Sequence, residues 1–243
     1  MHRSRWSTVG PVVAIALALA VTACGSSDDR LVVFAASSLT DVFERLESDF
    51  EAEHPAIDVV VNAAGSSSLV AQLAEGAPVD VLVTADTDTM SDAVAATPTI
   101  GEPVTLVRNG LVIAVERDNP LGIGSLGDLA DVVVVLAAPQ VPAGAYSRSI
   151  LACAGVAVDP VSLEQSVRSV ASKVALGEAD AGLVYRTDIS DDLDAVEIPA
   201  ECQVAAEYPI VLLDDTPAAR QFLAFVTGAD GARVLADEGF ELP

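Results

Sequence analysis

The stretch Phe34-Ala35-Ala36-Ser37-Ser38-Leu39-Thr40-Asp41 decides the fold. On its N-terminal side Leu31 to Ala35 is a short apolar run; on its C-terminal side Leu39, Val42, Phe43, Leu46 and Phe50 recur at the spacing of one helix face. A strand therefore ends and an amphipathic helix begins within a few residues centred on two serines. Ser38 with Asp41 three residues later reads, by itself, as an ordinary capping box. The pattern then repeats. Ile57 to Val61 reads as a second strand, Ala63-Ala64-Gly65-Ser66-Ser67-Ser68-Leu69 as a second serine-rich junction opening a helix near Ser67, and Val79 to Thr84 as a third strand. Strand, helix, strand, helix, strand predicts α/β architecture, with a parallel sheet covered on both faces.

Farther along, Leu111 to Val115, Val132 to Ala137 and Ala181 to Tyr185 read as strands. Tyr146, Ile150 and Cys153 are expected on one helix face, and Val167, Val170, Ala171 and Val174 on another. An apolar strand from Pro209 to Leu213 runs into helices beginning near Pro217 and Asp230. Small and hydroxylated residues gather where strands give way to helices, with a third such place at Val141-Pro142-Ala143-Gly144-Ala145-Tyr146. In open α/β sheets ligands bind at the carboxyl ends of strands. Helix starts there also present unpaired N–H groups and the positive end of the helix dipole, which suits an anion.

The N-terminus carries a different signal. Arg3 and Arg5 precede an apolar run from Val9 to Ala20, then Val21-Thr22-Ala23-Cys24 closes a small-residue cleavage site on a cysteine. This is the pattern of a bacterial lipoprotein signal over residues 1–23, with Cys24 lipidated and residues 24–30 a polar tether. A run of that length falls short of the roughly 20 apolar residues a spanning helix needs. The chain is expected to be exported and held on the outer face of the cell membrane by its lipid alone.

The full sequence holds 12 Lys and Arg against 36 Asp and Glu, a net charge of −24. Loss of Arg3 and Arg5 with the signal leaves ten basic residues and a net charge of −26. Such a chain does not seek nucleic acid or anionic lipid surfaces. The acids are dispersed among Ala, Val and Leu, which is the composition of a globular protein with an acidic surface and not of a disordered one. Cys153 and Cys202 are left to pair in an oxidising compartment or to sit as two buried thiols. With His54 as the one histidine after the signal, no zinc-type ligand spacing exists.

Taken together these residues resemble a family, the periplasmic molybdate-binding proteins of ABC transporters. The likeness runs through Val33 to Thr40, Gly65 to Leu69, Glu75-Gly76-Ala77-Pro78-Val79-Asp80, Thr84-Ala85-Asp86, Val141 to Tyr146, Val167-Arg168, Gly182-Leu183-Val184-Tyr185 and Glu207-Tyr208-Pro209. It departs at Ser37, where the family more often has alanine, and at Gly65, where serine is commoner. The resemblance implies a two-lobed periplasmic-binding-protein fold, with an oxyanion held in the cleft between lobes joined by two crossovers. Residues 31–108 plus 210–243 would form one lobe and 109–209 the other. It further implies that Ser38 and Ser66 donate hydroxyl and backbone N–H bonds, Ala143 and Val167 backbone N–H bonds, and Tyr185 its hydroxyl. Molybdenum would arrive only as molybdate, with tungstate equally acceptable. No cofactor and no enzymatic activity are implied, and the partner would be the permease of the importer, with the binding protein a monomer.

Two alternatives stay open on sequence alone. Another oxyanion such as sulfate would use the same architecture. A serine hydrolase would need a nucleophile elbow, yet neither junction has a Gly-x-Ser-x-Gly frame, and His54 lies before a proline at a helix end.

Overall fold

The computed structural model describes residues 29–243; the expected signal sequence, Cys24 and most of the expected tether lie outside them. Strand β1 (Asp29–Ala36) takes in positions 29 and 30, with Asp29 paired to Ile57, so the strand begins inside the stretch expected to be tether. β1 runs through one 3-10 turn, Ser37–Leu39, into α1 (Thr40–Glu53). α1 forms because Val42, Phe43, Leu46 and Phe50 line one face, and all four are buried. It stops at His54, since a residue before proline is driven out of the helical region.

β2 (Ile57–Ala64) lies parallel to β1, with Val33 opposite Val61. α2 (Ser66–Ala74) then leads to β3 (Val81–Val83), parallel to β1 on its other side. α3 (Thr87–Ala96), which the sequence did not signal, starts from Asp86, whose carboxylate accepts the Thr89 N–H.

β4 (Ile100–Glu116) has 17 residues, far more than one sheet crossing needs. Its first part pairs antiparallel with β9 (Ala205–Leu212), and Leu111 to Val115 pair antiparallel with β7 (Ala181–Tyr185). Between these lie β5 (Val134–Ala137), α4 (Pro142–Ala154), β6 (Ser162–Glu164) and α5 (Val167–Ala175), with β5 parallel to both β6 and β7. β8 (Leu193–Glu197) joins β4, and β9 also pairs with β3. The strand order is β2-β1-β3-β9-β4-β7-β5-β6, with β8 off that path. The fold is thus two α/β lobes, each built on parallel strands, joined where β4 and β9 run antiparallel. The single parallel sheet expected from the strand–helix alternation is interrupted at this seam.

α6 (Pro217–Thr227) and α7 (Ala229–Asp237) return to pack on α1, where Phe50 meets Phe222 edge-on at a centroid distance of 5.2 Å. One expected helix face is corrected. In α4 the buried residues are Pro142, Ala143, Gly144, Ser147, Ile150 and Leu151, while Tyr146 is half-buried and Cys153 exposed. Ser147 can take the inner position because its hydroxyl donates to the Ala143 carbonyl at 2.6 Å, satisfying a polar atom that periodicity would place outside. Among the described residues no helix is long and apolar enough to cross a membrane.

Candidate anion-binding cleft

Six parallel strands deliver their carboxyl ends to one cavity between the lobes. Ala36, Ser37 and Ser38 come from the end of β1, Gly65 and Ser66 from the junction after β2, and Ala85 from beyond β3. The other lobe contributes Val141, Pro142 and Ala143 after β5, Val167 after β6, and Tyr185 as the last residue of β7. All five positions singled out in the sequence, Ser38, Ser66, Ala143, Val167 and Tyr185, are buried and line this one space.

The cavity is small, with a volume of about 10 Å³. That is far below the roughly 300–1,000 Å³ of sites for organic ligands. The cavity takes one compact group.

Its electrostatics come from the backbone. Among the described residues no Asp, Glu, Lys or Arg lines it. Instead α2, α4 and α5 begin at its wall with Ser66, Pro142 and Val167. First-turn N–H groups have no intrahelical acceptor, and Pro142 as the first residue of α4 makes Ala143 the first free donor there. The start of α4 reaches the end of β5 because position 144 is glycine: a Cβ there would stand 2.0 Å from the Ala138 carbonyl oxygen.

The hydroxyls are arranged as donors. Ser66 Oγ accepts the Ala85 N–H at 3.1 Å, which leaves its own proton free. Ser38 Oγ lies 2.9 Å from the Tyr208 hydroxyl. The capping box read from Ser38 and Asp41 is therefore not formed: α1 has no side-chain cap, because Ser38 sits inside the 3-10 turn and bonds a tyrosine 170 residues away. The Tyr185 hydroxyl is buried and makes no hydrogen bond of ordinary geometry to any protein atom. Burial pushes its phenol well above the ordinary tyrosine value, so it keeps its proton.

Arg168 follows Val167 but turns away from the cavity. Nη1 and Nη2 donate to Asp41 Oδ2 at 3.0 and 2.9 Å, and Nε stands 3.6 Å from Asp188 Oδ1. Asp188 is fully buried, and burial pushes its carboxyl up to about 7 even though Arg168 pulls it down. At the far end of α4, Cys153 is joined by a disulfide to Cys202, with Cα atoms 5.5 Å apart.

The family model of the bacterial extracellular solute-binding proteins matches residues 31–241. The chain belongs to that family. This solute-binding protein is similar to the molybdate-binding protein ModA of Mycobacterium tuberculosis (strain ATCC 25618 / H37Rv), with 38% identity over 252 residues, 96% of this chain and 97% of the relative. Its fold resembles that of the periplasmic molybdate-binding protein of Azotobacter vinelandii, at 21% identity and a TM-score of 0.71 over 88% of this chain and 99% of the other. It equally resembles the sulfate-binding protein SubI of M. tuberculosis H37Rv, at 15% identity and a TM-score of 0.76 over 88% of this chain and 87% of the other.

Membership in a solute-binding family sets the hydrolase alternative aside, and the geometry agrees. The partners of Ser38 and Ser66 are Tyr208 and the Ala85 backbone, while His54 stacks on Phe50 at 4.4 Å at the end of α1. Among the described residues no cluster of His, Cys, Asp and Glu could hold a metal cation. Two features of the candidate cleft escaped the sequence. Ala85 lies in Thr84-Ala85-Asp86 and Tyr208 in Glu207-Tyr208-Pro209, both visible as motifs but without a role, because each acts on a serine far off in the chain.

Proposed function

We propose that this solute-binding protein captures molybdate, or the closely similar tungstate, outside the cell and delivers it to the permease of an ABC importer. One side chain carries the proposal: the Tyr185 hydroxyl, a buried donor without a protein acceptor, on the wall of a cavity made of neutral donors. A tetrahedral dianion offers acceptors only. Ser38, Ser66 and Tyr185 supply O–H groups to it, and Ser38, Ser66, Ala143 and Val167 supply backbone N–H groups. Each helix start adds roughly half a positive charge, about +1.5 for α2, α4 and α5 together, which offsets most of a dianion's charge without a Lys or Arg. The printed name of the mycobacterial relative points to the same anion.

In this reading residues 31–108 with 210–243 form one lobe and 109–209 the other, and they close on the anion by hinging at β4 and β9. Cys24, preceded by Val21-Thr22-Ala23, carries the lipid that holds the protein at the membrane, and the protein acts as a monomer. Calorimetric titration of the ligand-free protein with molybdate, tungstate, sulfate and phosphate tests the assignment. Molybdate and tungstate are expected to bind alike and far more tightly than the others; sulfate binding as tightly as molybdate would sink it.

A further inference from the structure

Each serine hydroxyl in the cleft has one proton to give and an oxygen that can also accept. At Ser66 the accepting side is taken by the Ala85 N–H at 3.1 Å, so the proton is left for the cavity. Ser38 has a different partner, the phenol of Tyr208 at 2.9 Å. Tyr208 is fully buried on the crossover strand β9 and does not itself line the cavity.

We propose that Tyr208 is a positioning residue that makes the cleft selective for fully deprotonated oxyanions: its O–H donates to Ser38 Oγ and turns the Ser38 proton into the cavity. The proposal rests on the reading of Ser38 as a ligand given above.

The chemistry of the pair favours that direction. A phenol is a better donor than an aliphatic alcohol, and burial keeps Tyr208 protonated. Other acceptors do not take the phenol proton. The Asp188 carboxylate makes no hydrogen bond, and Tyr185, although edge-on to Tyr208 at 5.5 Å, makes none of ordinary geometry. A dianion in the cavity then aligns the whole chain, Tyr208 to Ser38 to anion, because each proton moves toward the negative charge.

With its oxygen accepting from Tyr208, Ser38 turns a donor and not an acceptor to the cavity, as Ser66 does with its oxygen on the Ala85 N–H. A protonated oxyanion such as hydrogen phosphate then lacks an acceptor for its O–H at the Ser38 wall, and an unmade buried hydrogen bond costs about tenfold to a hundredfold in affinity. Without the Tyr208 hydroxyl, Ser38 Oγ is free to rotate and accept that proton.

The test titrates molybdate and inorganic phosphate, at mildly acidic and alkaline pH, into the wild type, Tyr208→Phe, Ser38→Ala and the double variant. Tyr208→Phe is expected to bind molybdate about tenfold more weakly. Its molybdate-to-phosphate affinity ratio should fall at least as far, most at acidic pH where phosphate holds more protons. In the Ser38→Ala background the same change is expected to do nothing, because a residue acting through Ser38 has no further effect once that hydroxyl is gone. An unchanged affinity ratio, or an equal loss in both backgrounds, would overturn the role of Tyr208 while leaving the anion site standing. Full molybdate affinity in Ser38→Ala would instead overturn the site reading, and the proposal with it. Should Tyr208→Phe not fold, 3-fluorotyrosine at position 208 keeps the shape and strengthens the donor; it is expected to tighten molybdate, and weaker binding would count against the proposal.

Discussion

Gly65 stands so close to Gln165 that a Cβ on it would lie 2.0 Å from the Gln165 carbonyl oxygen and 3.2 Å from the carbonyl carbon. Gly65 has an ordinary φ of −57°, so glycine is required for space and not for backbone freedom. The two residues precede α2 and α5, which belong to opposite lobes, and this is where the lobes touch beside the proposed anion cavity. Gly65→Ala is therefore expected to obstruct closure. Molybdate affinity should fall by about tenfold or more, roughly 1.4 kcal/mol. Melting of the ligand-free protein should hardly change, because the clash exists only when the lobes meet. Calorimetry paired with a thermal scan checks both halves, and an affinity within twofold of wild type would show that the contact yields without cost.

Tyr185→Phe also separates ligand binding from stability. In the ligand-free protein with the lobes apart, no protein group depends on the Tyr185 hydroxyl, so removing it is neutral or, where closure buries it unpartnered, stabilising. With anion present it removes one of the donors. The expected outcome is an unchanged or raised melting temperature without ligand and a tenfold to hundredfold loss of molybdate affinity. A variant that lost stability and kept its affinity would place the hydroxyl outside the site.

The strand ends of the cleft were legible because their chemistry is local. Ser37-Ser38, Gly65-Ser66 and Pro142-Ala143 each announce a helix start within a few residues, and Val167, Val170, Ala171 and Val174 mark their helix by period alone. What connects those starts was not legible. The Tyr208 hydroxyl reaches Ser38 across 170 residues, and Ala85 reaches Ser66 across 19. Neither pairing alters hydrophobic spacing. Ser38 with Asp41 matched a capping box so well that local pattern favoured the wrong partner, and the tertiary bond to Tyr208 prevailed. β4 was seen only as Leu111 to Val115, because its earlier half alternates exposed and half-buried residues where it leaves one lobe for the other.

Asp188 predicts a pH signature. Its carboxyl lies fully buried beside Arg168, and burial raises it from the usual 3.8 to about 7. Between those values the folded protein holds a proton that the unfolded chain releases. The stability from this group is present at low pH and is lost as pH rises from about 4 through about 7. Asp188→Asn carries no such titration. Its stability relative to wild type is expected to improve across that window, by no more than about 1.4 kcal/mol per pH unit for one proton, and to level off above it. Urea denaturation of both proteins at several pH values reads the difference directly. A constant difference across the window would mean that Asp188 stays ionised when folded.

The same guanidinium reaches Asp41 on the other lobe, with side chains 35% and 65% exposed. So exposed a pair contributes only about 0.2–1 kcal/mol, and less as salt screens it. Because the pair spans the cleft, that energy belongs to the closed state. Asp41→Asn is expected to leave melting of the ligand-free protein unchanged, to speed molybdate release up to about fivefold at low salt, and to differ little from wild type at 1 M salt, where the Debye length is about 3 Å. Stopped-flow release at two ionic strengths checks this; an effect that persisted in high salt would point to a structural role for Asp41.

The Cys153–Cys202 bond should support stability without touching binding. It closes a sequence separation of 49 residues, for which chain entropy gives about 4 kcal/mol. In a chain of this size each kcal/mol is worth about 2–4 °C, so Cys153→Ser with Cys202→Ser is expected to melt roughly 8–16 °C lower. The proposed anion site lies at the other end of the same helix: Ala143 is near the start of α4 and Cys153 near its end, roughly 15 Å along the axis. Ala143 is also held from its own end, by Gly144 against the carbonyls of β5 and by the Val141 carbonyl accepting the Gly144 N–H at 2.8 Å. Molybdate affinity is therefore expected to remain within twofold of wild type at a temperature well below the lowered melting point. Thermal scans with and without reductant, together with calorimetry on the double variant, test the separation. A parallel loss of affinity would mean that the disulfide, and not the contact with β5, sets where the Ala143 N–H points.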